Sequence, residues 1–371
     1  MITTATPTTR TDKRITHSEK QCFNTCKRKD YLAYELGLRP DRTAKPLRIG
    51  SAVHLGLDYA NQRQMGVDEW ETKTDQDIIQ AVLDKYTEHT PENHEYMDDF
   101  RYEVATIAAL LAGYFWRWSA MPLDFVASEE KFDLPIINPD GNAMTAMRSA
   151  GMMDARVMLV GRMALKETKT TSDDISPESD YWGTLRIDSQ ISDYYNACLD
   201  MGYPIETVLY DVIKKPTIKP RSIPVLDAEG LKQVYDRTTG ERVANKNGSF
   251  KQSVSDKETQ YLETRKENPS EFTSRILDDI YERPDFYYAR KEIPRLQDDL
   301  DEARYEHWQV AKSILESRRH GRWPRNTGAC KNFNTKCPYY ELCRGNYKPG
   351  DAVQGFVYVN DVHQELAEVE E

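Results

Sequence analysis

Asp154, Glu167 and Lys169 are the residues of this chain whose types and spacing best fit a chemical task. Asp154 ends Gly151-Met152-Met153-Asp154, and the other two lie in Leu165-Lys166-Glu167-Thr168-Lys169. Both segments sit in apolar runs that read as neighbouring strands, so two carboxylates and an amine would meet at one sheet edge. Carboxylate oxygens hold hard divalent cations such as Mg²⁺ or Mn²⁺, which activate water and neutralise charge developing on phosphate. The trio therefore points to metal-dependent cleavage of a phosphodiester, with Lys169 orienting or deprotonating the water.

Taken alone, Glu-x-Lys is what any solvated strand of alternating charge produces. Its context changes that reading. Met158 to Leu165 reads as strand, turn and strand, with Gly161 at the turn, so the chain doubles back and can bring Asp154 beside Glu167. Downstream, Gln190 and Tyr194 are spaced i, i+4 within the helical pattern Asp188 to Leu199 and point from one face. Upstream, Gly50 to His54 opens another helical stretch and offers an imidazole.

In their order and spacing these segments resemble the PD-(D/E)XK nuclease superfamily, and within it the RecB-type, CRISPR-adaptation-like exonucleases that carry a four-cysteine iron–sulfur cluster. The matching pieces are the Gly-x-x-x-His helix Gly50 to His54, the Gly-x-x-Asp strand Gly151 to Asp154, the Glu-x-Lys strand Glu167 to Lys169 and the Gln-x-x-x-Tyr helix Gln190 to Tyr194. The resemblance covers residues 16 to 345. It implies an α/β restriction-endonuclease-like core, a central mixed sheet flanked by helices. It also implies metal ligation by His54, Asp154, Glu167 and the backbone carbonyl of Thr168, with Lys169 as the catalytic lysine. Gln190 and Tyr194 would support the site and contact DNA.

Three of the six cysteines, Cys330, Cys337 and Cys343, lie close together. In a chain without a secretory signal, thiolate ligation of a metal is a better reading than disulfides. An iron–sulfur cluster or a structural zinc each takes four ligands. Cys26 is the favoured fourth, because Cys26-Lys27-Arg28-Lys29-Asp30-Tyr31 resembles the Cys-Pro-Arg-Lys-Tyr-Tyr segment of the same nucleases; Cys22, one helical turn earlier, competes for the place. Those enzymes clasp the chain's ends with one N-terminal and three C-terminal cysteines. Two departures stand out: six residues separate Cys330 from Cys337 where the family has two, which raises the case for zinc, and Lys27 replaces the usual Pro. Cys198, in the apolar part of a helix, reads as a core residue.

The composition fits a folded enzyme: 371 residues, 39% hydrophobic, can form one large domain with additions or two smaller ones. No apolar run approaches the roughly 20 residues that cross a bilayer, and the polar, Thr-rich start is no signal peptide, so a cytoplasmic protein without membrane contact is expected. A net charge of −11 is unusual for a partner of DNA. Its distribution is uneven, for Lys214 to Lys251 holds nine Lys or Arg against four Asp or Glu, the N-terminus is basic, and Asp361 to Glu371 has five acids and no base. That pattern predicts weak non-specific grip on duplex and engagement of an end or single strand through a local channel. No Gly-x-x-x-x-Gly-Lys-Ser/Thr loop, Gly-x-Ser-x-Gly elbow or His-x-x-x-His helical pair occurs, which removes ATP-driven motors, serine hydrolases and zinc hydrolases of those types.

Along the chain, residues 1 to 15 read as disordered and 16 to 123 as a helical region holding Cys26 and His54. Helices are predicted over Thr16 to Leu38, with Thr16 as cap, and over Gly50 to Gln64, Asp75 to Tyr86 and Tyr96 to Ala120. The aromatic group Tyr114, Phe115, Trp116 and Trp118 reads as core before it reads as a base-stacking platform. Residues 124 to 214 form the nuclease core, with strands over Phe125 to Ile136, Ala150 to Val160, Arg162 to Lys169 and Thr207 to Lys214; the last follows a helical crossover and should run parallel to its neighbour. Residues 215 to 254 read as a hairpin and loops over the groove, 255 to 345 as helical, with helices over Asp256 to Lys266 and Ile293 to Arg318, and 346 to 371 as an acidic tail. The expected activity is a Mg²⁺- or Mn²⁺-dependent deoxyribonuclease, an exonuclease on single-stranded or end-frayed DNA in recombination, repair or replication, working with proteins of those pathways in a phage or bacterium. A structure-specific endonuclease of the same superfamily and a non-catalytic DNA-binding scaffold are the alternatives.

Overall fold

The computed structural model describes residues 10, 12–41, 44–88, 94–332, 335–345, 347–363 and 366. From the N-terminus the elements are β1 (Arg14–Ile15), α1 (His17–Thr25), α2 (Lys27–Asp30), a π-helical turn (Tyr31–Glu35), β2 (Leu38–Pro40), α3 (Lys45–Gln64), α4 (Asp75–Thr87) and α5 (His94–Trp118). The central stretch holds β3 (Asp124–Ile137), β4 (Ala143–Leu159), β5 (Arg162–Thr171), α6 (Asp180–Arg186), α7 (Ser189–Asp200) and β6 (Ile205–Lys214). Then come β7 (Ser222–Pro224), β8 (Val234–Asp236), β9 (Gln260–Leu262), β10 (Thr264–Lys266), α8 (Pro269–Glu282), α9 (Pro284–Tyr287), β11 (Tyr288–Glu292) and α10 (Gln297–His320). The last are β12 (Lys331–Asn332), β13 (Thr335–Lys336), α11 (Tyr340–Arg344) and β14 (Phe356–Tyr358).

Six strands form one mixed sheet along the path β1-β4-β5-β6-β11, with β3 also on β4. The turn between β4 and β5 is tight because Val160 and Gly161 both take positive φ (50° and 78°), the conformation that matches the twist of an antiparallel hairpin. β5 and β6 run parallel through the α6–α7 crossover, as the strand, helix, strand pattern predicts. The pairing of β4 is what shapes the site. β3 occupies one edge of β4 along its length, Asp124↔Met158 to Ile137↔Ala143. The other edge is shared: β5 takes Ala155 to Leu159, and β1 takes Arg148 and Ser149. Between them β4 has a short stretch whose second edge no strand covers, and Asp154 and Gly151 lie in it.

One face of the sheet is covered by α3, α4, α5 and α8, whose buried residues Val53, Leu57, Val82, Leu110 and Ile276 pack together. The other is covered by α6, α7 and the start of α10 through Trp182, Ile191, Tyr194, Cys198 and Leu300. Cys198 is buried against the Met153 sulfur at 3.2 Å, the core role expected of it. Tyr114 and Phe115 are buried as well, while Trp116 is exposed and meets Tyr281 edge-on. Under the sheet, Lys166 and Asp211 are fully buried and joined at 3.3 Å, with Arg290 of β11 at 3.1 Å and the Tyr114 hydroxyl donating to Asp211 at 2.5 Å.

Several expectations are corrected. Asp256 to Lys266 is not helical: β9 pairs with β8 and β10 with β7, giving a small β-arm. The segment is rich in Lys and Glu, which favour helix, but lacks an apolar stripe to bury, so strand partners from the insertion decide its state. Part of the stretch read as disordered is ordered, since Arg14 and Ile15 pair with β4; residues 1–9 and 11 lie outside the described residues. The Thr16 cap is present, its hydroxyl accepting from the Glu19 N–H, yet the helix breaks at Cys26, which has extended backbone (φ −165°), and passes through a π turn into β2. The acidic tail is partly built, β14 pairing with β2 and His363 fully buried; residues 346, 364, 365 and 367–371 lie outside the described residues. Ile293 to Leu296 leads into α10 rather than opening it, and β11 and α8 were not anticipated. No helix among the described residues is long and apolar enough to cross a membrane.

Asp193 of α7 joins three helices beneath the site. It meets His17 Nδ1 at 3.2 Å and the Lys20 amine of α1, and His307 Nδ1 of α10 at 3.6 Å. Burial works to raise its carboxyl, but His307 and Lys20 outweigh it and hold the group far below the usual carboxylate range. A depressed folded-state pKa contributes stability above the unfolded value of about 4, and this is lost as pH falls further. Asp193→Asn should therefore lose about 3 kcal/mol in urea unfolding at pH 7, leaving the buried Lys20 ammonium of α1 without its carboxylate, and the gap to the parent should narrow below about pH 4.

Candidate active site

Pairing between β4 and β5 ends at Ala155↔Lys166, and the next residue on each strand is Asp154 or Glu167. The two carboxylates thus stand where the strands part. The Thr168 N–H, left without a strand partner there, donates to Asp154 Oδ2 at 2.7 Å. His54 Nδ1 reaches the same oxygen at 3.7 Å from α3. Lys169 lies 2.8 Å from Glu167 Oε1 and 3.1 Å from Asp188 Oδ2, and its amine donates to Gln190 Oε1 at 2.7 Å. The sequence-derived residues His54, Asp154, Glu167, Thr168, Lys169 and Gln190 therefore meet at one place.

Two glycines permit this approach. A Cβ on Gly50 would fall 2.9 Å from Thr170 Oγ1, so the bare backbone lets α3 lie against β5 and present His54 one turn on. A Cβ on Gly151 would fall 2.7 Å from two ring atoms of Phe132 and 2.9 Å from Tyr194 Cε1. Tyr194, with its ring edge-on to Phe132, is buried and fills the space under β4; it packs the site from beneath rather than lining its opening.

Solvent access is graded across the group. The side chains of His54, Lys169 and Asp154 are 31%, 22% and 20% exposed, whereas Glu167 is 3% exposed. His54 is enclosed by protein yet reached through the opening, as a group in a cleft is. Burial, with Lys166 and Lys169 nearby, lowers its pKa against the pull of Asp154, favouring a neutral imidazole with a free lone pair. Burial and then Asp154 push the Glu167 carboxyl upward, and its Oε2 is buried with no hydrogen-bond partner. Burial alone would lower the Lys169 amine, but Glu167 and Asp188 overcome it and hold the ammonium well above its usual range. Two carboxylates and an imidazole are the donor types of a hard divalent cation, while among the described residues the ligand atoms of His54, Asp154 and Glu167 do not all lie within 4.8 Å of one another and the Lys169 ammonium sits on Glu167 Oε1.

Three residues escaped the sequence reading. Asp188 is both the cap of α7, accepting the Gln190 N–H at 3.0 Å, and a partner of Lys169. Its position just before a helical pattern was a readable signal. Asp58, one turn beyond His54 on α3, accepts from Ser128 Oγ at 2.8 Å and Gln62 Nε2 at 2.7 Å. Glu129 falls between the pairs Ser128↔Ala155 and Glu130↔Met153, opposite Asp154, with φ of +49°. Burial pushes its carboxyl up to about 8, with Asp154, Asp58 and Glu167 adding to the rise. For Asp58 the i+4 spacing from His54 could have been seen in advance; for Glu129 no local signal exists.

The expected cysteine group is brought into one region without closing. Cys26 Sγ accepts from the Asn326 N–H at 3.3 Å, the Cys330 thiol lies 3.8 Å from the Asn326 carbonyl, and the Cys337 N–H donates to the Cys330 carbonyl at 3.0 Å. Cys337 and Cys343 pack with Cys22, Tyr31 and Tyr339. Among the described residues, however, no three cysteines have sulfurs within 4.8 Å of one another. Tetrahedral zinc at about 2.3 Å from each sulfur would need separations near 3.8 Å, so a closed zinc site is not formed. Cys22 is buried and its thiol pushed up to about 12, which disfavours it as a thiolate ligand.

The family model of the PD-(D/E)XK nuclease superfamily matches residues 14–344, and the chain belongs to that superfamily. No relative was found among curated proteins. Among solved structures, the chain is similar to the protein VC1899 from Vibrio cholerae at 10% identity and a TM-score of 0.15, covering 53% of this chain and 58% of that one. The chain thus spans less than two thirds of that protein, a likeness too slight to add to the family assignment.

Since Phe132 and Tyr194 press on Gly151 from the packed side, a new methyl there would force both rings to shift within the core. Gly151→Ala should cost about 1–3 kcal/mol in urea unfolding, with Phe132 and Tyr194 displaced in a crystal structure of the variant.

Proposed function

We propose that this chain is a metal-dependent DNA exonuclease of the RecB type, acting on single-stranded or end-frayed DNA in recombination, repair or replication. The observation that carries the reading is the meeting of His54, Asp154, Glu167 and Lys169 where β4 and β5 part. His54, Asp154 and Glu167 would hold Mg²⁺ or Mn²⁺. The Thr168 carbonyl would join them, because in an extended strand it leaves on the same side as the amide that reaches Asp154. A divalent cation so held polarises phosphate and lowers the pKa of water. Lys169, gripped by Glu167, Asp188 and Gln190, directs an ammonium at the reacting phosphate, and Gln190 keeps it aimed. Residues 215–266 supply basic side chains, including Arg237 and Arg242, for the DNA backbone.

Cys26, Cys330, Cys337 and Cys343 are proposed as ligands of a [4Fe–4S] cluster clasping the two ends of the chain. The approach of Cys26 to the Asn326–Cys330 segment supports this, and a cluster spaces its thiolates more widely than a single zinc ion. Anaerobically purified protein should contain iron and acid-labile sulfide, both lost in Cys26→Ala; stoichiometric zinc in their place would refute the cluster.

End-labelled single-stranded, duplex and circular DNA with Mg²⁺ or Mn²⁺ separates the functional readings. Linear strands should be degraded and circles spared. Cut circles would mean an endonuclease, and no cleavage at all a scaffold. Glu167→Ala should lower the rate at least about a hundredfold, since losing even an outer partner of a metal ligand costs up to that much.

A further inference from the structure

A cavity of about 400 Å³, a size that holds small ligands, opens where α3, α5 and α8 meet residues 215–220, the start of the insertion that follows β6. Its lining is largely apolar. Ile49, Tyr102 and Phe272 are buried behind it, and Pro216 and Ile218 flank them. Lys215 and Lys219 stand at the same cavity, each followed by a proline, which keeps the segment extended and spaces the two side chains along it. A lysine on a solvated loop needs no partner, but Lys215 is half-buried, and burial lowers its amine against the pull of Asp173. Among the described residues neither ammonium meets a carboxylate within 4 Å or a hydrogen-bond acceptor. The nearby acids are already matched: Glu103 is held by Arg48 and buried Glu267 by Arg275, each at 2.7 Å. Lys45, at the start of α3, adds a third ammonium, 4.0 Å from Glu103. An apolar slot edged with unmatched positive charge suits a molecule with a flat organic part and an anionic end.

The cavity is tied to the candidate active site through shared elements. Beyond β5, Ser172 at the rim lies roughly 10 Å along the chain from Lys169, and on α3 Ile49 lies roughly 7.5 Å along the axis from His54. The Lys215 N–H donates to the Thr171 carbonyl at 2.7 Å, which fixes the lysine segment to the end of β5. We propose that this cavity is a nucleotide subsite, in which Lys215 and Lys219 hold a phosphate while Pro216, Ile218 and Tyr102 take the base. It rests on the nuclease reading for the source of the nucleotide, which is either part of the strand being cut or the mononucleotide released from it. Both present the same phosphate and base.

Calorimetric titration of the full chain without divalent metal, using deoxyadenosine monophosphate, deoxyadenosine and inorganic phosphate as probes, tests this apart from cleavage. The monophosphate should bind at least about tenfold more tightly than either fragment, since only it engages the apolar wall and the lysines together. Lys215→Gln combined with Lys219→Gln should weaken the monophosphate at least about tenfold and leave deoxyadenosine unchanged. Ile218→Ser should weaken the monophosphate and deoxyadenosine alike and spare phosphate. Competition then assigns the source: displacement of a fluorescent single strand by the monophosphate means that the subsite holds a nucleotide of the strand, and binding without displacement means that it holds the product. No binding of the monophosphate to the parent, or binding undiminished in the double variant, overturns the proposal and leaves the nuclease reading standing. If the double variant does not fold, acetylation of the parent decides, because the monophosphate should protect Lys215 and Lys219, and unchanged labelling refutes the subsite. Failure of the parent to cut DNA while the monophosphate still binds would sink the nuclease reading alone.

Discussion

The divided edge of β4 is the constraint from which the rest of this molecule follows. A carboxylate in a continuous sheet would be locked against neighbours with its backbone fully paired and no room for a ligand. Where β5 leaves β4 and β1 has not yet taken over, Asp154 can turn its side chain to the Thr168 amide and to His54. A freed backbone donor needs a partner, and the carboxylate that could also hold a cation supplies it. Placing the acids on strands rather than loops fixes them to the accuracy of the sheet.

Such a gap weakens the sheet, and the other face offsets it. Lys166 and Thr168 alternate with Glu167, and their side chains are joined to each other at 2.8 Å beneath the strand. Lys166 meets Asp211, which meets Arg290, so β5, β6 and β11 are tied by buried charges directly below the site. Burial raises the Asp211 carboxyl, but Lys166 and Arg290 reverse that and keep it ionised. Because breaking such a pair leaves a buried charge uncompensated, the network holds register where backbone pairing is interrupted. Asp193 performs the same task one layer further out, joining α7 to α1 and α10.

What could be read from the sequence divides along the range of the interactions. Asp154, Glu167 and Lys169 were legible because a hairpin with Gly161 and a helical crossover are local patterns that fix strand direction. The motif glycines were legible as spacing, but their reason, Thr170 for Gly50 and Phe132 with Tyr194 for Gly151, needs partners from other elements. Glu129 could not be found: Ser-Glu-Glu-Lys in a strand looks like a solvated edge until the register sets it opposite Asp154. The β-arm was misread for a related reason, since the partners of Gln260 and Thr264 lie some 25 and 40 residues earlier, beyond any window of local preference. The N-terminal helix was read too long because nothing in its composition marks Cys26 as extended.

The surroundings of Lys169 bear on which of its two anticipated roles is physically open. A lysine acts as a base only if its environment favours the neutral amine, through burial or neighbouring cations. Here burial is present, but Glu167 and Asp188 both lie within about 3 Å and Gln190 accepts a further hydrogen bond. Each of these prefers the ammonium. A cation taken up by Glu167 would draw off part of that carboxylate's charge, yet Asp188 is fixed independently as the cap of α7 and stays in place. Two of the three contacts would therefore survive metal binding. On the proposed nuclease reading, Lys169 would orient and neutralise, and the proton of an attacking water would pass to another acceptor or to solvent rather than to this amine.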